Sequence, residues 1–141
     1  MPDWKCEYDR IIDSARSRDA TGDAAGEARV IEYHIPLLER LDAIEGSSVV
    51  LYDMKSASYR FMTASFKFLA GYDRDEAVAG GPDFFYRIMR PEHVPFVQET
   101  VARTFRFLEG LPPAERKDYK LAFEFDIRRA DGRWVGIIQQ V

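Results

Sequence analysis

The sequence is poor in the residues that make disulfides and metal sites, with one cysteine, Cys6, and two histidines in 141 residues. One cysteine excludes an intrachain disulfide and a cysteine-based zinc cluster. No apolar run approaches the roughly 18 residues that a membrane-spanning helix needs, and the charged N-terminus is unlike a signal peptide. We therefore expect a soluble, cytoplasmic protein without membrane contact.

An excess of positive charge is also absent. Twenty basic side chains stand against twenty-four acidic ones, which gives a net charge of −4 at pH 7. This balance argues against nucleic-acid binding by the chain itself, so any contact with DNA would need a separate domain. The composition, 46% hydrophobic and 13% aromatic, is instead typical of one globular domain with its own core.

Apolar residues recur at helical spacing in two segments before the first strand pattern. The first predicted helix covers about residues 3 to 17, and a small, glycine-interrupted linker follows at 19 to 26. A second helix is predicted from about 27 to 45, where Pro36 either kinks it or begins a shorter one. Its apolar side consists of Val30, Ile31, His34, Leu37, Leu38, Leu41 and Ile44.

Two β-hairpins are predicted, one on each side of a helical region. The first pairs residues 48–54 with 58–63. The second has period-two alternation from Tyr119 to Ile127, an Asp131-Gly132 turn, and a further strand to Val141. These patterns predict a strand in each half of both hairpins, with the odd positions of 119–127 facing the core.

The region between the hairpins is predicted to be helical. Short helices run from Ala64 to Gly71, from an Asp73-Glu76 capping box to Gly80, and again from Asp83. A long helix begins at Pro91 and ends at Gly110. This order predicts an α+β domain with one antiparallel sheet and helices on one face.

Several of these segments together resemble a PAS domain. They are the strand Val49–Asp53, the run Phe68–Tyr72 followed by Asp75-Glu76, the helix start Arg90–His93, and Asp131–Val135. Residues Gly110–Leu121 more narrowly resemble a signature of PAS sensor domains at the N-terminus of LuxR-type bacterial transcription regulators. The resemblance covers residues 28–141 and leaves 1–27 as an N-terminal helix and flexible linker.

The resemblance implies a non-enzymatic sensory and dimerisation domain for signal transduction in transcription regulation. It implies a small-molecule site between sheet and helices, with these candidate ligand-binding residues: Phe61, Thr63, Phe84, Phe85, Met89, Phe105, Tyr119, Leu121, Phe123 and Phe125. Of these, Thr63 and Tyr119 are the polar groups expected to face such a pocket. The alternative is that the aromatic residues simply fill a core.

The cofactor is not identified by the sequence. Relatives that use flavin photochemistry carry a reactive cysteine in the helical region, where this sequence has none, so that chemistry is not expected. Haem would need an axial histidine. His93 is the candidate by position, but a solvated helix-start residue is the preferred interpretation. His34 could likewise contact a ligand, although a core or interface role is favoured because no metal ligand is spaced beside it.

The resemblance also predicts a final, central strand that does not follow Val141 in this sequence. Without that strand, the first strand of the first hairpin and the last strand of the second would each have an edge without a partner. Three alternatives are open: these two strands pair directly, a partner chain donates a strand, or the chain is a piece of a longer regulator. We expect a homodimer through the N-terminal helices or this open edge. A ligand-free interaction module and an α+β barrel isomerase are the alternatives, although no nucleophile, base and orienting group occur together.

Overall fold

The computed structural model describes residues 6–7, 9–11, 13–14, 24–43, 47–54 and 56–141. The described residues of the first predicted helix are helical, and most of the predicted linker lies outside the described residues. The elements that follow are α1 (Ala24–Leu41), β1 (Val50–Asp53), β2 (Ser58–Met62), α2 (Phe66–Ala70), α3 (Arg74–Ile88), α4 (His93–Glu109), a 3₁₀ turn (Arg116–Asp118), β3 (Ala122–Arg128) and β4 (Trp134–Gln140). The α+β class is confirmed.

Proline and glycine act in the helical region at particular points. Pro36 lies inside α1, so it does not begin a second helix. Gly71 ends α2 with a φ of 81°, and Gly81 breaks α3 into two helical segments with a φ of 59°. The predicted capping box at Asp73 is wrong: its carboxylate makes no cap bond because it pairs with Lys67 Nζ at 2.8 Å.

The two predicted hairpins do not form one hydrogen-bonded sheet among the described residues, and direct pairing of the strands beside the missing central strand, one of the three expected outcomes, is not present there. β1 pairs with β2 and β3 pairs with β4, and each antiparallel hairpin is a separate two-stranded sheet. No strand among the described residues lies between the two hairpins, and they do not hydrogen-bond to one another directly. The two hairpins are therefore held together by the packing of their side chains and of the helices in a shared core.

A single hydrophobic core joins the hairpins and helices. Its buried residues are Met62, Phe66, Ala70, Ala77, Phe84, Ile88, Met89, Val97, Phe123, Phe125 and Ile127. In β3 the odd positions are buried while Ala122, Glu124 and Arg128 are exposed, as the alternation predicts. Tyr119 does not follow this pattern and is 49% exposed, because it ends the 3₁₀ turn before β3 and packs against Phe107.

The turn of the second hairpin is attached to the C-terminal end of α2. Ala130 N donates to Ala70 O at 3.0 Å, and Arg129 Nη1 donates to Phe68 O and Leu69 O at 2.9 and 2.5 Å. Gly71 lies so close that a Cβ built on it would be 3.0 Å from the Cβ of Ala130. These contacts occupy carbonyl groups that the helix end leaves unsatisfied.

The turn itself is stabilised by charge. Asp131 accepts hydrogen bonds from the backbone N and the guanidinium of Arg133, which lowers the pKa of its carboxyl to about 2. Gly132 adopts a φ of 85°, the conformation expected for the glycine of an Asp-Gly turn.

None of the helices described is long and apolar enough to cross a bilayer.

Candidate functional site

The outer edge of β3 is covered by the segment that leads into α4. Arg90 N donates to Asp126 O at 2.9 Å, and Asp126 N donates to His93 Nδ1 at 2.9 Å. The Arg90 guanidinium lies 4.7 Å from the centre of the Trp134 ring, and its Nε is 2.9 Å from Asp126 Oδ2. That N–H is not aligned with the carboxylate, since Nε has no hydrogen-bond partner, so the contact is an ion pair.

His93 is therefore not the solvated helix-start residue expected from its position. It is partly buried and serves as a hydrogen-bond acceptor for the backbone of β3. With Nδ1 accepting, the proton of a neutral imidazole lies on Nε2. In this tautomer neither ring nitrogen offers a free lone pair to a haem iron.

Six of the ten candidate ligand residues lie together in the core. Phe84, Met89, Phe123 and Phe125 are buried in the cluster, and Phe85 and Leu121 pack against it. The other four lie outside that cluster. Phe61 and Thr63 are buried on or just after β2, Phe105 is half-buried on α4, and Tyr119 is at the surface.

Thr63 uses its hydroxyl within the protein. Its Oγ1 accepts from Val49 N at 2.9 Å and lies 3.1 Å from Ser48 Oγ and 2.9 Å from Ser65 Oγ. We call Ser48, Thr63 and Ser65 the hydroxyl cluster. A hydroxyl has one donor and two acceptor positions, so these three contacts account for the bonding capacity of Thr63.

A continuous row of aromatic rings connects α3 to the first hairpin. Phe84 contacts the rings of Phe66, Tyr72 and Phe85 at centroid distances of 6.4, 5.2 and 5.4 Å. Phe85 continues the row to Tyr59 at 5.1 Å, and Tyr59 contacts Tyr52 at 5.0 Å. The polar ends of tyrosines thus enter a largely apolar region.

Tyr52 and Tyr59 of this row, together with Tyr86 on α3, form what we call the tyrosine cluster. Burial, together with the neighbouring tyrosines, raises the pKa of Tyr59 and raises that of Tyr86 to about 12. The hydroxyl of Tyr52 is buried without a partner. Buried polar groups normally have one, so Tyr52 offers an unused hydrogen bond.

The sequence analysis missed the tyrosine cluster because its members come from β1, β2 and α3 and share no spacing. Even the pairing of Tyr52 with Tyr59 depends on the register irregularity between Leu51 and Tyr52, because a regular hairpin of the predicted strands would place Tyr52 opposite Arg60. Phenols with raised pKa values remain neutral and suit hydrogen bonding to a ligand better than proton abstraction.

Among the described residues, no group of three His, Cys, Asp or Glu side chains could hold a metal ion.

Helix α1 presents a second candidate surface. Val30, His34, Leu37 and Leu41, which we call the α1 stripe, are all exposed, and Val30 and Leu37 are 58% and 56% exposed. Their spacing of four, three and four residues is that of a coiled-coil seam. His34 contacts Tyr33 edge-on at 5.3 Å and is not a core residue in this chain.

The end of α1 is connected to the hydroxyl cluster. The Asp42 carboxylate accepts from Ser65 N at 2.8 Å and from Ala64 N at 3.1 Å. Hydrogen bonds from Ser65 hold the pKa of Asp42 below its usual range. Asp42 therefore joins α1 to the residues that follow β2.

Comparisons of this chain with protein-family models, with curated proteins and with solved structures found no match.

Proposed function

We propose that this chain is a non-enzymatic signal-transduction domain that acts as a homodimer through α1. In this proposal it is the PAS-like sensory part of a transcription regulator, and DNA is contacted by a separate domain. The observation that carries the proposal is the exposed α1 stripe, which places apolar side chains at heptad spacing on a surface helix. The resemblance to PAS sensors of LuxR-type regulators supports it.

A second copy of the chain is the partner that this stripe fits. In a parallel pair, Val30 and Leu37 would occupy one core position of the heptad and His34 and Leu41 the other. Acidic and basic residues of α1 are interspersed beside the stripe: Glu27, Arg29, Glu32, Glu39 and Arg40. No single sign of charge opposes self-association, and a polar His34 at the seam would favour one register.

The proposed signal passes from the core to this dimer helix. Asp42 links the end of α1 to Ser65, and Ser65 contacts Thr63 at the end of β2. A ligand that repacks the first hairpin would therefore change the position of α1 relative to its copy. Such a change is a shift in population between two packings of the domain, and it is driven by the difference between the ligand's affinities for the two packings.

The dimer is tested by Leu37→Lys. We expect the variant to sediment as a smaller species than the natural chain at equal concentration, because two lysines would be forced into an apolar seam. Sedimentation equilibrium measures the effect, and Glu32→Lys on the same helix is the matched control, expected to leave the association constant within about threefold. Equal association of the natural chain and Leu37→Lys would disprove pairing through the α1 stripe.

A sensory role is supported by the unpartnered hydroxyl of Tyr52. A neutral molecule with a carbonyl or ether oxygen and an apolar body would satisfy that donor beside aromatic rings. The alternative is an interaction module that binds no small molecule. Native mass spectrometry of freshly purified protein, compared with the denatured mass, distinguishes the two; turnover dependent on an acidic or histidine side chain would favour an enzyme instead.

Tyr52→Phe provides the corresponding variant. Removing a buried hydroxyl without a partner should leave the free energy of unfolding unchanged or raise it by about 1 kcal/mol, while any retained small molecule is lost. Tyr86→Phe is the control: it removes a phenol of the same cluster whose oxygen is not among the buried atoms without a partner, so we expect it to keep any retained small molecule. Thermal unfolding and native mass spectra measure both effects, and a destabilised Tyr52→Phe that keeps its ligand would contradict this role.

A further inference from the structure

The outer edge of β4 carries a row of backbone groups without partners. Leu121 and Val141 exchange two hydrogen bonds, and in the regular register of this hairpin every second pair does the same. The N–H and C=O groups of the residues in between point away from β3. On β4 these residues are Trp134, Gly136, Ile138 and Gln140, and no hydrogen bond of their backbone groups to another described residue is present outside the hairpin.

The opposite edge of the same hairpin confirms this geometry. Asp126 is the neighbour of Gly136 in the register, and its N–H and C=O point away from β4, to His93 and Arg90. The outer edge of β3 is therefore covered, whereas no described segment pairs with that of β4. An open edge is a template for pairing with another strand.

β4 also lacks the features that usually prevent such pairing. It contains no charged residue and no proline, and its register with β3 is free of bulges. β1, by comparison, has an irregularity between Leu51 and Tyr52 and ends at Asp53. Ile138 is 77% exposed and Trp134 is 44% exposed, so the open edge of β4 also carries large apolar side chains.

We propose that β4 pairs antiparallel with β4 of a second copy, around a two-fold axis at Ile137. This register makes hydrogen-bonded pairs of Trp134 with Gln140 and of Gly136 with Ile138, each occurring twice. All the outward N–H and C=O groups of both strands are then used. The two hairpins become one continuous four-stranded sheet, and this second self-pairing surface goes beyond the α1 dimer and does not depend on it.

The side chains favour a second copy over an unrelated strand. Ile138 of one copy lies opposite Gly136 of the other, so the largest exposed aliphatic side chain of the strand meets the residue without one. Trp134 lies opposite an uncharged glutamine. No charged side chain of β4 meets a like charge, which is the condition that a self-complementary edge must fulfil.

Ile138→Pro tests the pairing without breaking the hairpin. The N–H of Ile138 points outward, so proline removes two intermolecular hydrogen bonds per dimer and leaves the bonds to β3 in place. Leu37→Lys alone should still show an increase in mass with concentration, because β4 is unchanged in it. Adding Ile138→Pro to Leu37→Lys should abolish this increase. Adding Ile138→Val instead is the control and should preserve it. Circular dichroism and thermal unfolding establish that each variant folds.

A single-cysteine scan tests the register independently. In a Cys6→Ser background, Ile137→Cys should form an intermolecular disulfide under mild oxidation, because a non-hydrogen-bonded pair on the axis has Cα atoms about 4.5 Å apart. Gln139→Cys should not, since its two copies would be roughly 13 Å apart. Cross-linking at 139 but not 137, or equal cross-linking at both, would overturn the register.

Pairing through the α1 stripe and pairing through β4 can be disproved independently of one another. If Ile138→Pro in the Leu37→Lys background sediments as Leu37→Lys alone does, and Ile137→Cys does not cross-link, pairing through β4 is wrong while the α1 dimer stands. If Leu37→Lys has no effect but Ile138→Pro abolishes association, the reverse holds. If β4 paired with a strand of a different protein instead of with β4 of a second copy, the complex would have the mass of a hetero-oligomer. That result would also refute the proposal.

Discussion

Replacing Phe84 by alanine is expected to lower the free energy of unfolding by about 3–5 kcal/mol. The side chain is 2% exposed and contacts three aromatic rings, those of Phe66, Tyr72 and Phe85. Truncation would remove these contacts and leave a cavity at the centre of the core that unites the two hairpins. Because no strand pairing joins the hairpins, little other structure can compensate.

Phe68→Ala is the matched control for this prediction. Phe68 lies on α2, next to the same core, but its side chain is 84% exposed. We expect a change within about 0.5 kcal/mol, measured for both variants by denaturant unfolding. Equal losses in the free energy of unfolding of Phe84→Ala and Phe68→Ala would show that the buried aromatic row does not hold the domain together.

Gly71→Ala is expected to have the second largest effect, a loss of about 2–3 kcal/mol. A φ of 81° in itself disfavours any residue with a Cβ by about 1–2 kcal/mol. The added methyl would also lie 3.0 Å from the Cβ of Ala130. Ala130 cannot move away freely, since its N–H is bonded to Ala70 O.

Gly132→Ala separates the two contributions to this loss. Gly132 has nearly the same φ, 85°, but no atom lies within 4 Å of a Cβ built on it. We therefore expect it to lose only the conformational part, about 1–2 kcal/mol. Hydrogen exchange of the Ala130 amide should become faster in Gly71→Ala and stay slow in Gly132→Ala; the same loss of stability and the same exchange in both would refute the contact between α2 and the hairpin turn.

Local pattern was sufficient for much of the fold. Alternation from Tyr119 to Ile127 predicted which face of β3 is buried, although not the exposure of Tyr119, and the Asp-Gly turn predicted the hairpin, because both depend on neighbours in the chain. Gly71 and Gly81 interrupted the helices where expected. The Asp73 cap failed because Lys67, six residues away, competes for its carboxylate.

The candidate sites depended on contacts that local pattern does not contain. Phe84, Phe85 and Met89 were predicted as ligand residues from the resemblance to PAS domains, and the structure places them in or against one core. The unpartnered Tyr52 hydroxyl was not predicted, since only the packing of β1 against β2 and α3 removes it from water. His93 was likewise predicted to be a solvated residue at the helix start, whereas in the structure its Nδ1 accepts a hydrogen bond from Asp126 N of β3.

The α+β class, both hairpins and the apolar stripe on α1 could be predicted from the amino-acid sequence, since these follow from periodicity and turn residues within short segments. Three features follow from tertiary contacts alone: the hairpins remain separate sheets, His93 and Arg90 cover the edge of β3, and no described segment pairs with the edge of β4. Strand neighbours are chosen by backbone hydrogen bonds between distant segments. Every residue except proline offers the same donor and acceptor, so side-chain pattern does not encode that choice.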